Sequence, residues 1–186
     1  IVEWLDGLNG DTLRLPKLRA AVFDELSAGE ISIRCSQALS KLAKVTSGAL
    51  EHTRCKVPKT LKATLRGYQH DGLDWLSFLG EHGLGGVLAD DMGLGKTIQV
   101  LAHILAERAA KRLNGPVLIV MPTSLIPNWC SEATRFAPVL KVLTLHGAFR
   151  GAKFGEIAKH DVVLTTYALL FRDEDALAEV NFSLAV

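Results

Sequence analysis

The chain has 186 residues, of which 48% are apolar and 22% charged, and this composition excludes a disordered tail and allows a sizeable buried core. The 21 basic and 20 acidic residues leave a net charge of +1, which excludes a strongly basic protein that coats nucleic acid. No apolar run approaches the roughly 20 residues that span a bilayer, and no export signal is readable, so we expect a cytoplasmic protein without a membrane partner.

The first part of the chain has the spacing of two short helices. Apolar residues recur every four residues in one stretch (Leu18, Val22, Leu26) and every three in another (Leu39, Leu42, Val45). Residues 47–60 contain Pro58 and few large apolar side chains, which is typical of a linker. Residues 1–66 carry 11 basic and 7 acidic groups, against 10 and 13 in residues 67–186. We therefore predict a helical accessory segment with its linker over 1–57, and a second domain over 58–186.

The second domain alternates helices with short apolar runs, the pattern of a parallel sheet covered on both faces. The predicted strands are 86–89, 117–121, 140–145 and 161–166. The predicted helices are marked by Leu73, Leu76 and Leu79, by Ile98, Leu101 and Leu105, and by Leu125, Trp129 and Ala133, with a further short helix at 152–159. This order predicts the α/β fold class, as a doubly wound domain with ligands at the carboxyl ends of its strands.

Residues 89–97, ADDMGLGKT, lie between a predicted strand and a predicted helix, which is the context of a phosphate-binding loop. Backbone N–H groups of such a loop surround phosphates together with the positive end of the following helix. Lys96 would reach the β and γ phosphates, and the Thr97 hydroxyl would bind Mg²⁺. The candidate nucleotide-binding residues of this segment are Asp91, Met92, Gly93, Leu94, Gly95, Lys96, Thr97 and Ile98, with Lys96 and Thr97 as the candidate catalytic residues.

The strict phosphate-loop pattern is not met, because Asp90 stands where the pattern has its first glycine. The alternative is a glycine-rich turn that binds nothing. The strand before the loop, the helix after it and the two glycines in register favour a phosphate site over that alternative.

Five segments in order carry a family resemblance: 65–76 (LRGYQHDGLDWL), 88–99 (LADDMGLGKTIQ), 118–129 (LIVMPTSLIPNW), 146–150 (HGAFR) and 161–170 (DVVLTTYALL). They resemble the first motifs of Snf-type ATPases, the chromatin-remodelling and DNA-translocating branch of superfamily-two helicases, here of a bacterial type. The resemblance implies that 58–186 is the amino-terminal part of a RecA-like first lobe. It also implies a DNA-dependent ATPase that uses ATP and Mg²⁺.

The resemblance assigns nucleotide contacts upstream of the loop. Gln69 matches the adenine-reading glutamine of the family, and an amide that both donates and accepts can read a base edge. Arg66 would lie against the base or the ribose. The alternative for Gln69 is a surface glutamine at a helix end.

The resemblance also implies that residues after each strand hold the phosphate backbone of double-stranded DNA. Hydroxyls and N–H groups at helix starts can do this without net positive charge. The residues so assigned are Thr123, Ser124 and Asn128 after the second strand, His146, Gly147 and Arg150 after the third, and Thr165 and Thr166 after the fourth. Helix capping by Thr123 or Ser124 is the alternative, or an additional, role. For the residues after the third and fourth strands the alternative is a surface or turn role.

Residues 182–186 (FSLAV) match the family's approach to an acidic box that holds Mg²⁺ and activates water. The sequence stops before that box, so we expect a truncated piece that binds nucleotide weakly and shows no DNA-stimulated hydrolysis alone. The strand after the box normally inserts beside the loop strand, so exposed apolar edges and self-association are expected.

Two other classes of function remain open on the sequence. A different P-loop enzyme, such as a kinase or GTPase-like switch, would share the phosphate loop but not the upstream and downstream motifs. A non-enzymatic module would use residues 1–60 to bind a partner, with the lobe as a scaffold. For the DNA-dependent ATPase, transcription or repair machinery is an expected further partner.

Overall fold

The computed structural model describes residues 54–186 and, nearer the amino terminus, the short strands β1 (Leu8–Asn9) and β2 (Thr12–Leu13). The chain divides into two compact units, 1–53 and 54–186. In the first unit β1 and β2 pair antiparallel, a feature that the apolar spacing does not predict. The two helices predicted there lie outside the described residues. The domain boundary at 57/58 stays a prediction.

The second unit is built on a parallel sheet of four strands. They are β3 (Val117–Met121), β4 (Val142–Thr144), β5 (Val162–Thr166) and β6 (Leu184–Ala185), in the order β4-β5-β3-β6. β3 and β5 pair over their whole length, from Val117 opposite Val162 to Met121 opposite Thr166. The two central strands, β3 and β5, are almost entirely buried because both faces of the sheet are covered.

Three helices form one layer of the unit: α1 (Gly67–His82), α2 (Lys96–Ala109) and α3 (Ile126–Phe136). The other side holds a 3₁₀ helix at Arg150–Lys159 and the short helices α4 (Tyr167–Arg172) and α5 (Glu174–Ala178). Alternate residues of β3 divide between two cores. Ile119 packs in the core of α2 and α3, and Leu118 packs in the core that contains Ile157 and Leu177. The predicted α/β architecture, with a sheet covered on both faces, is confirmed.

The strand predicted at 86–89 is wrong. Residues 84–90 form no regular element, and their backbone pairs with no strand of the described sheet. Gly86 instead lies so close to Trp75 and Leu79 of α1 that a Cβ there would collide with both side chains. Val87 is 82% exposed. A short apolar run becomes a strand only where a neighbouring backbone supplies hydrogen bonds, and here the run packs against a helix.

Two more differences concern short elements. The predicted strands at 140–145 and 161–166 are present as the shorter β4 and β5. α4 and α5 are absent from the sequence prediction because six and five residues are too few to show a helical period. Within the part of the chain that is described, no helix is both long and apolar enough to cross a membrane.

Candidate functional site

The loop between residue 90 and α2 has the backbone conformation that its glycines allow. Gly93 and Gly95 have φ angles of 85° and 81°, in the left-handed region that residues with a Cβ rarely adopt. Gly95 is the N-cap of α2 and, because glycine has no side chain, it makes no side-chain capping hydrogen bond at this helix start. The first N–H groups of α2 are therefore left for another acceptor, and the positive end of the helix dipole lies at the loop.

Lys96 folds back into the loop. Its Nζ donates to the carbonyl oxygen of Asp90 at 2.6 Å and to that of Asp91 at 3.1 Å. The ammonium thus lies against the backbone of the turn, at the same point where α2 begins. A positive charge, a helix start and a glycine turn together form a site for an anion with several oxygens.

Gln69 is 7% exposed and ties the start of α1 to the loop. Its Oε1 accepts from the backbone N–H of Arg66 at 2.9 Å, and its Nε2 donates to the carbonyl oxygen of Leu94 at 2.9 Å. The Tyr68 hydroxyl donates to the same Leu94 oxygen at 3.1 Å. The structure therefore brings Gln69 to the phosphate loop, although 25 residues separate it from Leu94. Arg66 lies next to Gln69 and, among the described residues, reaches the loop only through its hydrogen bonds to Gln69 and Tyr68.

The other predicted loop residues differ in exposure. Met92 is 96% exposed and Asp91 is also exposed, whereas Thr97 is half-buried in the first turn of α2. Ile98 is 8% exposed and packs in the core with Leu101. Only its backbone N–H is positioned to serve a ligand, so its predicted binding role applies to the main chain.

Asp90 and Gln99 form a contact that the sequence motif does not predict. Nε2 of Gln99 donates to Oδ2 of Asp90 at 2.7 Å, and Gln99 is fully buried. The signal in the sequence is Asp90 itself, a charged residue at a position where the strict pattern has glycine.

The residues that follow β3 are accessible. Thr123 and Ser124 lie in an exposed 3₁₀ turn, Thr123–Leu125, at the carboxyl end of the strand. Neither side chain makes a capping hydrogen bond at this turn. Asn128 is also exposed, but its Nδ2 donates to Oε1 of Glu132 at 2.9 Å, within α3.

The residues that follow β4 separate into exposed and paired groups. His146 and Gly147 are exposed, and Gly147 has a φ of 85°. Arg150 instead makes two parallel hydrogen bonds to Asp173, Nε to Oδ2 at 2.7 Å and Nη2 to Oδ1 at 2.8 Å. This pairing raises the pKa of Arg150 above its ordinary value. Its Nη1 also donates to the Gly147 carbonyl, so the guanidinium fixes a loop where a phosphate contact was predicted.

The two threonines at the end of β5 are buried. Thr165 is fully buried, and its hydroxyl has no hydrogen-bond partner among the residues that the structure describes. Thr166 is 4% exposed and is the N-cap of α4, without a side-chain capping bond. The predicted phosphate contact through these hydroxyls does not fit this arrangement, because a strand inside a covered sheet hides both side chains from solvent.

The chain is similar to known proteins over most of its length. Residues 68–186 match the family model of the SNF2-related domain. YwqA of Bacillus subtilis is 40% identical over 166 residues, covering 87% of this chain and 18% of that protein. The ATP-dependent helicase brm of Drosophila melanogaster is 37% identical over 126 residues, covering 66% of this chain and 8% of its own length.

Solved structures agree with the sequence comparison. The Sulfolobus solfataricus SWI2/SNF2 ATPase core in complex with double-stranded DNA matches with a TM-score of 0.65 and 37% identity, covering 72% of this chain and 27% of that one. A second structure, the SWI2/SNF2 ATPase core domain from the same organism, matches with a TM-score of 0.61 and 33% identity. The match covers 84% of this chain and 28% of that one. This chain thus spans less than a third of the relatives it matches. With its phosphate loop, its RecA-like sheet and the match over 68–186, the chain belongs to the SNF2-related domain family.

Proposed function

We propose that this chain supplies the ATP-binding part of a DNA-dependent ATPase that moves along double-stranded DNA. The observation that carries the proposal is the Lys96 ammonium, held against a left-handed glycine turn at the uncapped start of α2. This arrangement offers N–H groups, a helix dipole and a positive charge to one polyphosphate. The relatives YwqA and brm both bear names of ATP-dependent helicases, which favours ATP as the ligand.

Gln69 and Arg66 would hold the adenine end of the nucleotide. The side-chain amide of Gln69 has two N–H groups and an oxygen with two lone pairs, and one N–H and one lone pair are already bonded within the protein. One N–H donor and one lone pair therefore remain for a ligand. Adenine presents a neighbouring donor and acceptor, so the remaining amide groups match it. Because the same amide bonds the Leu94 carbonyl, base and phosphates would be held by one connected set of residues.

The Mg²⁺ ion would be shared with the phosphates. Within the described residues, no group of three or more His, Cys, Asp and Glu side chains could hold a metal by itself. Magnesium commonly keeps several waters and is bound by one or two protein groups plus substrate phosphates. The half-buried Thr97 hydroxyl, beside Lys96 at the start of α2, fits that arrangement. A bound Mg·ATP would supply the phosphoanhydride whose hydrolysis drives movement.

Double-stranded DNA would meet the carboxyl ends of β3 and β4. Thr123, Ser124 and His146 are exposed there, and hydroxyls and N–H groups at such ends suit phosphate oxygens. The SWI2/SNF2 ATPase core of Sulfolobus solfataricus, a structural relative, was solved in complex with double-stranded DNA. Transcription or repair machinery would be a further partner of the whole protein, which in a bacterium would act in the cytoplasm on the nucleoid.

Nucleotide binding by the Lys96→Ala variant tests the proposal. Titration of a fluorescent ATP analogue, with ATP and GTP as competitors, should show binding to the unaltered chain and preference for ATP. Loss of a charge-assisted contact weakens binding by about tenfold or more. The matched control is Lys141→Ala, because Lys141 is an exposed lysine just before β4, an edge strand of the sheet, and has no contact with the loop among the described hydrogen bonds.

Three outcomes decide the proposal. ATP binding that Lys96→Ala removes and Lys141→Ala leaves intact supports it. Equal binding of GTP would favour a different class of P-loop enzyme. No nucleotide binding by the unaltered chain, or binding that is independent of Lys96, would overturn the proposed site.

A further inference from the structure

Asp90 has two roles in the loop, one through its main chain and one through its side chain. Its carbonyl oxygen accepts the shorter of the two hydrogen bonds from Lys96 Nζ, at 2.6 Å. Its carboxylate accepts from Nε2 of Gln99 at 2.7 Å. A short hydrogen bond to the carboxylate limits the side-chain conformations of Asp90 and, through them, the position of its main chain. The position of Lys96 is therefore linked, through Asp90, to the side chain of Gln99.

Gln99 is itself held rigidly. It lies in the first turns of α2 and is fully buried. Gly72 of α1 packs directly against it, so that a Cβ at residue 72 would collide with Oε1 of Gln99. That oxygen has no hydrogen-bond partner among the described residues. A buried amide with an unpaired oxygen is unfavourable for folding, so packing alone would favour an apolar residue here.

We propose that Gln99 is a positioning residue for the phosphate site: it fixes Asp90, and through Asp90 it fixes the Lys96 ammonium. The inference rests on the proposed nucleotide function. It explains two departures from simple rules, a charged residue at the first position of the loop and a polar side chain in the core. Where the strict pattern has a flexible glycine, Asp90 is instead held by a hydrogen bond to Gln99 of α2. Because Gly72 has no Cβ, it leaves room for the Gln99 side chain that makes this bond.

The test is a double-mutant cycle on nucleotide affinity with Gln99→Met, Asp90→Ala and the double variant in the full chain. Methionine keeps the length of the side chain and removes the donor and the unpaired oxygen, so its melting temperature should be unchanged or higher. Each single variant should weaken ATP binding by about tenfold, and the double variant by no more than either single one. AMP, which lacks the β and γ phosphates that Lys96 would contact, should bind all variants equally.

Asp90→Asn is the matched control, because an asparagine amide oxygen still accepts from Gln99 Nε2. It should keep most of the affinity for ATP. The inference is overturned if the losses of ATP affinity in the two single variants add up in the double variant, or if Gln99→Met binds ATP with full affinity. In either case, ATP binding that depends on Lys96 would still support the proposed function. Loss of AMP and ATP affinity together would reduce Gln99 to a packing residue. Absence of ATP binding in the unaltered chain would overturn both.

Discussion

The phosphate loop and the strand-end surface differ in how their predicted residues are arranged. In the loop, Gln69 and Lys96 both direct their polar atoms at the loop backbone, at 2.9 and 2.6 Å. At the strand ends the predicted set is divided. Thr123 is exposed, Arg150 is paired with Asp173, and Thr165 is buried.

The difference has a physical origin. The loop is a short contiguous segment, and its glycine conformations and helix start are set within a few residues of one another. The strand-end residues come from three separate segments of the chain. Whether each one reaches solvent depends on strand register and on which helices cover the sheet. Local motifs therefore predict the arrangement of the loop better than they predict the arrangement of the strand-end residues.

The largest expected effect tests the loop side of this comparison. Gly95→Ala forces a Cβ into the left-handed region and within 2.6 Å of Gln69 Nε2. Strain of about 1–3 kcal/mol, with displacement of Gln69, should weaken ATP binding by about a hundredfold, measured by titration. Gly93→Ala is the matched control, since it has a similar φ but no atom within 4 Å of the added Cβ. Equal losses in both variants would show that the Gln69 contact has no effect.

A smaller effect tests the strand-end side. Thr123→Ala should weaken binding of duplex DNA a few-fold, about 1 kcal/mol for one hydroxyl contact. Thr165→Val should leave DNA binding unchanged, because the Thr165 side chain is fully buried. Its hydroxyl has no partner within residues 54–186, so removing it should raise the free energy of unfolding by about 1 kcal/mol, measured by urea unfolding. A loss of DNA affinity in Thr165→Val without a loss of stability would show that the buried Thr165 hydroxyl contributes to DNA binding.

The smallest effect concerns His103, a buried residue in the middle of α2. Burial lowers the pKa of His103 below 6.5, although Glu107 opposes this shift and Arg112 adds to it. The charged groups around it are Glu107 at 3.8 Å and Arg112, which pairs with Glu107 and also with Glu81 of α1.

The sign of the pH dependence follows from this direction. Between the lowered pKa of the folded state and the ordinary value of 6.5, the unfolded chain binds a proton at His103 that the folded chain does not bind. Stability is therefore present above that value and is lost as the pH falls through it toward the folded pKa. Thermal unfolding between about pH 7.5 and about pH 5.5 should show this loss, and His103→Gln should reduce it. An identical pH dependence in both proteins would rule His103 out as its source.

Sequence patterns determined the parts of this protein that depend on neighbours along the chain. The central strand at 117–121 and the helices around Leu73, Leu101 and Ala133 appear where their apolar periods predict them. The phosphate loop is equally local, since Gly93, Gly95 and the start of α2 lie within one turn.

The tertiary structure alone decided what depends on distant partners. Residues 86–89 have the composition of a strand but pack against α1, because no strand of the described sheet pairs with them. Arg150 forms an ion pair with Asp173, 23 residues away, and Thr165 is buried by the layers that cover β5. Gln99 became part of the site only through its hydrogen bond to Asp90 and the approach of Gly72. Residue type and spacing set which chemistry is available, whereas packing decides which atoms are free to perform it.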